Sequence, residues 1–153
     1  MDQDRFAERR QLGAADEATI GVLREALEDE FRARATYRRV IEAFGPVRPF
    51  VNIVDAEERH AETLLHLFSA FGVEPPTDDW SRLAAPPASL AAACQAAVQA
   101  ERENVAMYER LLQRTPHPAV IAVLRNLQRA SRERHLPAFQ RCLERERRKD
   151  PAR

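Results

Sequence analysis

Asp55-Ala56-Glu57-Glu58-Arg59-His60 is the stretch on which the reading of this sequence turns. Apolar side chains surround it at helical spacing, and a carboxylate and an imidazole three residues apart interrupt them. At about 100° per residue, Ile53, Ala56, Glu57, His60, Leu64, Leu67, Phe68 and Phe71 fall within roughly one third of a helix circumference. Glu57 and His60 therefore sit on the face that packs inward. A buried carboxylate beside a buried imidazole costs on the order of several kcal/mol unless something pairs with both. Either a metal ion or a hydrogen-bond network must supply that pairing.

Three more long amphipathic segments lie around this one. The first helix is predicted from Asp16 to Phe44, with Gly45-Pro46 as its stop. Its inner stripe is Leu23, Ala26, Leu27, Glu30, Ala33, Tyr37, Ile41 and Phe44. The helix bearing Glu57 begins near Arg48 to Phe50 and ends at Phe71 before Gly72, so a short connection makes the two antiparallel neighbours. From Gly72 to Ser89 the chain carries Pro75-Pro76 and Pro86-Pro87 and cannot sustain a helix. That length can carry the chain along a whole bundle, with Trp80 as the packing anchor of the crossover. A third helix starts behind Ser89, a good N-cap, and reaches about Arg114. After Thr115-Pro116-His117-Pro118, a fourth runs from about Ala119 to Arg147. Their inner stripes are Leu90, Cys94, Ala97, Val98, Glu101, Val105, Tyr108 and Leu112, and Ile121, Leu124, Gln128, Ser131, His135, Ala138, Phe139 and Cys142.

Short, long and short connections between four helices predict a ferritin-like antiparallel four-helix bundle with one long crossover between helices 2 and 3. Residues 16–147 form it, with a flexible N-terminus at 1–15 and a flexible tail at 148–153. Composition agrees: the chain has 153 residues, enough for one domain with a sizeable core, and only four glycines. Its 24 basic and 24 acidic residues are interspersed, which gives no electrostatic footprint for nucleic acid or membrane. Met1-Asp2-Gln3-Asp4-Arg5 lacks the apolar core of a signal peptide, so a cytoplasmic location is expected. In that setting Cys94 and Cys142 read first as thiols filling apolar space, with a redox-switchable pair as the sharper reading.

The two halves repeat. Glu30 is followed seven residues later by Tyr37, and Glu101 seven residues later by Tyr108. His60 and His135 occupy matching places on the hairpin partners. Cys94 lies seven residues before Glu101 and Cys142 seven after His135, which puts the two cysteines at one level of the second hairpin. The polar groups of each hairpin thus face each other at a single height of the bundle.

A two-metal carboxylate centre in such a bundle takes one Glu from each of two helices and Glu-x-x-His from each of the others. Glu30, Glu57, His60, Glu101 and His135 fit, as ligands for iron or manganese, or zinc in a single-ion version. Three residues before His135, however, stands Arg132 instead of Glu. At an effective dielectric of about 20 and roughly 6 Å, a guanidinium and a divalent ion repel by on the order of 5 kcal/mol. Arg132 can relieve this by extending outward. Glu133 points away in a regular helix and would enter only through a local bulge, for which Pro137 supplies a cause by lacking an N–H. A single ion or an asymmetric pair is therefore favoured over a symmetric two-metal site. The competing reading is a metal-free polar core in a structural or partner-binding module. There Arg34 neutralises Glu30 one turn away, Arg132 reaches Glu57 or Glu101, and Tyr37, Tyr108 and Asn104 satisfy the histidines. His66 and His117 carry no evident chemistry.

These residues resemble a known group. Glu30-x6-Tyr37, Glu57-x2-His60, Glu101-x6-Tyr108 and His135 look like the rubrerythrin-like branch of the ferritin-like superfamily. Phe44-Gly45-Pro46-Val47-Arg48-Pro49-Phe50 and Arg134-His135-Leu136-Pro137-Ala138-Phe139 look closer to a prokaryotic ferritin-like family of unknown function. The resemblance implies Glu30, Glu57, His60, Glu101 and His135 as ligands of an iron centre reacting with oxygen or peroxide, with Tyr37 and Tyr108 behind them. It departs at Arg132, at Asn104 where an extra carboxylate often stands, and in having no Cys-x-x-Cys rubredoxin module. An oxidoreductase of this kind would take its electrons from an external donor. A homodimer is compatible with the sequence, whereas iron storage would need a cage of many subunits.

Overall fold

The structure is a computed structural model and describes residues 12–149. The expected flexible ends, 1–15 and 148–153, lie mostly outside those residues. Every regular element among the described residues is helical: α1 (Glu17–Phe44), α2 (Phe50–Phe71), a single turn α3 (Trp80–Leu83), α4 (Leu90–Leu112), α5 (Pro118–Ala130), a π-helical turn (Ser131–His135) and α6 (Leu136–Lys149). Among the described residues no helix is long and apolar enough to cross a membrane.

Local chemistry sets the ends. Asp16 caps α1 by accepting from the Thr19 N–H, and Ser89 caps α4 by accepting from Ala92. Gly72 closes α2 in the left-handed conformation at φ 68°, where a Cβ would be strained. Pro118 opens α5 at a position whose N–H needs no intrahelical partner.

Contacts between side chains fix the packing. α1 and α2 form one antiparallel hairpin, and α4 forms another with α5 and α6. Between the hairpins, Thr19 meets Thr115, Asp29 meets Asn104 and Tyr37 meets Glu101, so α1 and α4 also run antiparallel. α2 and α4 must then point the same way, and the 72–89 connection returns the chain along the bundle. Trp80 packs on the core and its indole N–H donates to Glu28 at 2.8 Å, anchoring that connection. The segment does hold one helical turn, α3, between its two proline pairs. Arg34 ties it down further, bonding Asp78 at 2.7 Å and Glu58 at 3.1 Å.

The core divides into two apolar clusters at the two ends of the bundle. One contains Leu23, Leu27, Leu64, Phe68, Leu111 and Leu124. The other contains Tyr37, Phe50, Ile53, Cys94, Phe139 and Cys142. Each fully buried Leu or Phe contributes about 1.5–3 kcal/mol. Between the clusters lies the layer of buried Glu30, Glu57, Glu101 and His135.

The fourth predicted helix is not continuous. Pro137 has no N–H for the carbonyl of residue 133, and the ladder slips so that the Leu136 N–H reaches the Ser131 carbonyl five residues back. Val120 is the fully buried residue at the start of α5, where the stripe predicted Ile121, while Leu124, Gln128 and Ser131 are buried as predicted.

Candidate metal centre

Four helices supply the layer: α1 brings Glu30, α2 brings Glu57 and His60, α4 brings Glu101, and the π-turn brings His135. His60 Nδ1 lies 3.3 Å from Glu57 Oε2 and 3.6 Å from Glu30 Oε2. His135 Nδ1 lies 3.2 Å from Glu57 Oε1 and 3.6 Å from Glu101 Oε1. Glu57 thus faces one imidazole with each oxygen. The two rings stack with centroids 5.6 Å apart. The result is two three-residue groups, Glu30/Glu57/His60 and Glu57/Glu101/His135, each with its ligand atoms within 4.8 Å of one another. All five sequence-predicted ligands are brought together.

The tyrosines cross between the helices instead of serving their own. Tyr37 on α1 donates to Glu101 Oε1 on α4 at 2.8 Å, and Tyr108 on α4 donates to Glu30 Oε1 on α1. A buried hydroxyl left unpaired would cost roughly 1–3 kcal/mol, so these exchanges fix both carboxylates. Two buried carboxylate oxygens in the layer, Glu30 Oε2 and Glu101 Oε2, have no hydrogen-bond partner, and His135 Nδ1 has only its 3.2 Å approach to Glu57 Oε1. Buried carboxylate oxygens without a hydrogen-bond partner, next to imidazoles, suit a cation as the missing partner.

The other expected neighbours are elsewhere, which removes most of the ion-paired alternative. Arg34 bonds Glu58 and Asp78, not Glu30, and lies over the Phe31 ring. Arg132 is exposed beside Glu109 and Gln128, so it neutralises neither Glu57 nor Glu101. Asn104 serves no histidine; its amide donates to Asp29 at 2.6 Å and its oxygen accepts from Ser131 at 2.6 Å. Asp29, a partly buried carboxyl flanking the site, is not signalled by the stripe, because on a helical wheel it points about 100° away from Glu30. The bulge at Pro137 exists, but Glu133 stays exposed. His66 is exposed, while His117 donates to the Leu12 carbonyl at 2.6 Å and packs edge-on against Phe71. Cys94 and Cys142 share a level as predicted, but they are joined in a disulfide and are not thiols.

Electrostatics inside the layer are strongly coupled. Burial raises the Glu30 carboxyl, and the neighbouring Glu57 adds to this, bringing it to about 8. Burial acts against charge on His60 too, but hydrogen bonding and attraction from Glu30 and Glu57 outweigh it and lift the imidazole to about 9. His135, likewise opposed by burial, is lifted by Glu101 and Glu57 to about 10. Burial pushes Glu57 up, yet the groups bonding to it, Glu30, His135 and His60, hold it below the usual carboxylate range. Tyr37 and Tyr108 are raised well above the ordinary phenol by burial and by the surrounding glutamates, so both remain donors. Two clefts reach the layer. One of about 310 Å³ is lined by Asp29, Tyr37, Glu57, Glu101 and Asn104, and one of about 470 Å³ by Asn52, Arg59, His60, Arg134 and His135.

No protein-family model and no curated protein matches this sequence. Among solved structures the chain is similar to the hypothetical protein MJ0754 from Methanococcus jannaschii DSM 2661, with a TM-score of 0.76 and 22% identity over 86% of this chain and 82% of that one. At that identity the likeness shows a shared all-helical fold and nothing about activity.

Proposed function

We propose that this chain is a ferritin-like metal protein that holds an asymmetric pair of iron or manganese ions in its core, bridged by Glu57. The observation that carries this reading is the placement of Glu57 between two histidines, with one oxygen toward each, amid buried carboxylate and imidazole atoms that have no other partner. The hard oxygen donors, softened by one imidazole per group, favour iron or manganese, with zinc as an occupant of one half alone. Glu30 and His60 complete one half; Glu101 and His135 complete the other. Three carboxylates against two divalent ions leave one positive charge, so the arrangement is unequal to a four-carboxylate centre, and the outward turn of Arg132 avoids adding to the excess.

Bound iron would supply the capacity to react with dioxygen or a hydroperoxide. The chain's own residues prepare for it. Tyr108 occupies one oxygen of Glu30 and leaves the other facing His60, while Tyr37 holds the Glu101 oxygen that faces His135. The two apolar clusters above and below keep bulk water from the layer, while the clefts beside Asn104 and Arg134 admit small solutes.

A second reading has one observation in its favour. With Glu30 protonated and both imidazoles charged near neutral pH, the layer balances without any metal: two carboxylates against two imidazoliums. That is a metal-free structural or partner-binding bundle. Isothermal titration of chelator-treated protein with ferrous or manganous ion under anaerobic conditions separates the two. Binding with release of protons supports the metal protein, and absence of binding leaves the ion-paired core.

A further inference from the structure

We propose that Cys94 and Cys142 are a built-in dithiol that delivers two electrons to a hydroperoxide held at the Glu57 layer, and that the disulfide is its oxidised state. The proposal rests on the metal reading above.

Position carries it. The cysteines link α4 to α6, and the same hairpin brings together Glu101 and His135, seven residues away along each strand of it. Two helical turns put the sulfurs about 10 Å from the ligands. Tyr37 and Phe139 belong to the same buried cluster as the cysteines, and their rings are 5.1 Å apart. Tyr37 ends in the 2.8 Å hydrogen bond to Glu101, so packed atoms run from the sulfur level to the candidate ligands.

Burial decides the route. Cys94 and Cys142 are 0% and 1% exposed, which denies a peroxide access to sulfur. Apolar burial also raises a thiol's pKa and suppresses the nucleophilic thiolate. Oxidant reaches the layer through the clefts beside Glu57 and Glu101, while the reducing equivalents sit behind Tyr37; electrons, not the peroxide, cross the gap.

The balance is that of a two-electron oxidation. Two thiols and one hydroperoxide give the disulfide, one alcohol and one water. Both S–H bonds and the O–O bond break, the S–S bond forms, the sulfurs lose two electrons to the peroxide oxygens, and the thiol protons end on the alcohol and the water.

The test uses the full chain, reduced anaerobically with dithiothreitol and desalted. Half is loaded with ferrous iron and desalted again, and iron is counted in both halves. One equivalent of hydrogen peroxide is added, aliquots are quenched with a maleimide, and mass spectrometry counts free thiols. The expected result is loss of both thiols in the iron-loaded chain at least about tenfold faster than in the metal-free chain, whose buried thiols react slowly. Equal rates with iron demonstrably bound overturn the proposal alone and make the pair a structural staple. Failure to retain iron overturns both this proposal and the metal reading. Loss of helical circular dichroism on reduction also overturns it, because a donor must survive in its reduced state.

Discussion

Glu57 belongs to both candidate half-sites, and Glu30 and Glu101 to one each. The metal content of three alanine variants must therefore follow a fixed pattern. Glu30→Ala leaves Glu57, Glu101 and His135 intact and should retain about one ion per chain. Glu101→Ala leaves Glu30, Glu57 and His60 and should also retain about one. Glu57→Ala leaves two separated carboxylate–histidine pairs and should retain none. The same variant should be the least stable in the metal-free state. Glu57 is 3% exposed and faces imidazoles at 3.3 Å and 3.2 Å whose charged forms it sustains. Removing one partner from a buried ion pair costs about 3–5 kcal/mol. At roughly 2–4 °C per kcal/mol for a chain of this size, Tm should fall by about 6–20 °C. Glu57→Gln keeps the shape and should fold better while still failing to bridge. Metal counting after equilibrium dialysis, paired with thermal melts followed by circular dichroism, reads both quantities. Full metal content in Glu57→Ala, or loss of all metal in Glu30→Ala, refutes the shared-ligand geometry.

Further outcomes follow from the surrounding contacts. Tyr37→Phe and Tyr108→Phe each strip a carboxylate oxygen of its donor; stability should drop by about 1–3 kcal/mol and metal affinity by roughly 10–100-fold without loss of stoichiometry, as read by denaturant melts and calorimetric titration. The metal-free chain should lose stability as pH rises. His60 and His135 titrate near 6.5 when unfolded and at about 9 and 10 when folded, so the stability they contribute is complete below pH 6.5 and gone above those values. Glu30, raised from 4.5 to about 8, acts in the same sense, whereas Glu57 costs stability only on acidification. Urea midpoints that stay level or climb between pH 6.5 and 10 would sink that reasoning. Arg34→Met should cost about 1 kcal/mol by releasing Asp78 and the crossover yet leave metal content unchanged, since Arg34 does not touch Glu30; a change in bound metal would restore the ion-paired reading of that arginine.

Periodicity made the helical architecture and the clustering of the candidate ligands readable. Four apolar stripes interrupted at one height by Glu30, Glu57, His60, Glu101 and His135 needed only helical geometry and hairpin symmetry to converge, and Cys94 and Cys142 fell at one level by the same logic. What escaped were choices among equivalent partners. A helical wheel says that Tyr37 faces inward but not that it reaches α4, and it makes Arg34 adjacent to Glu30 although Asp78, from a distant loop, wins. Asn104 turns from the histidines to Asp29 and Ser131, which lie on other elements whose azimuths no single stripe reveals. Pro137 announced a broken ladder, yet the size of the slip depends on which carbonyl the displaced N–H finds. Thiols were expected from a presumed reducing compartment, a prior that the bond between α4 and α6 overrides.

Elemental analysis of the untagged chain, before and after anaerobic loading with ferrous iron, tests the central claim most directly. The account predicts about two irons per chain after loading, shared across Glu57. A chain that binds no iron, and no manganese or zinc offered in its place, contradicts it and leaves a bundle whose buried glutamates and histidines pair only with one another.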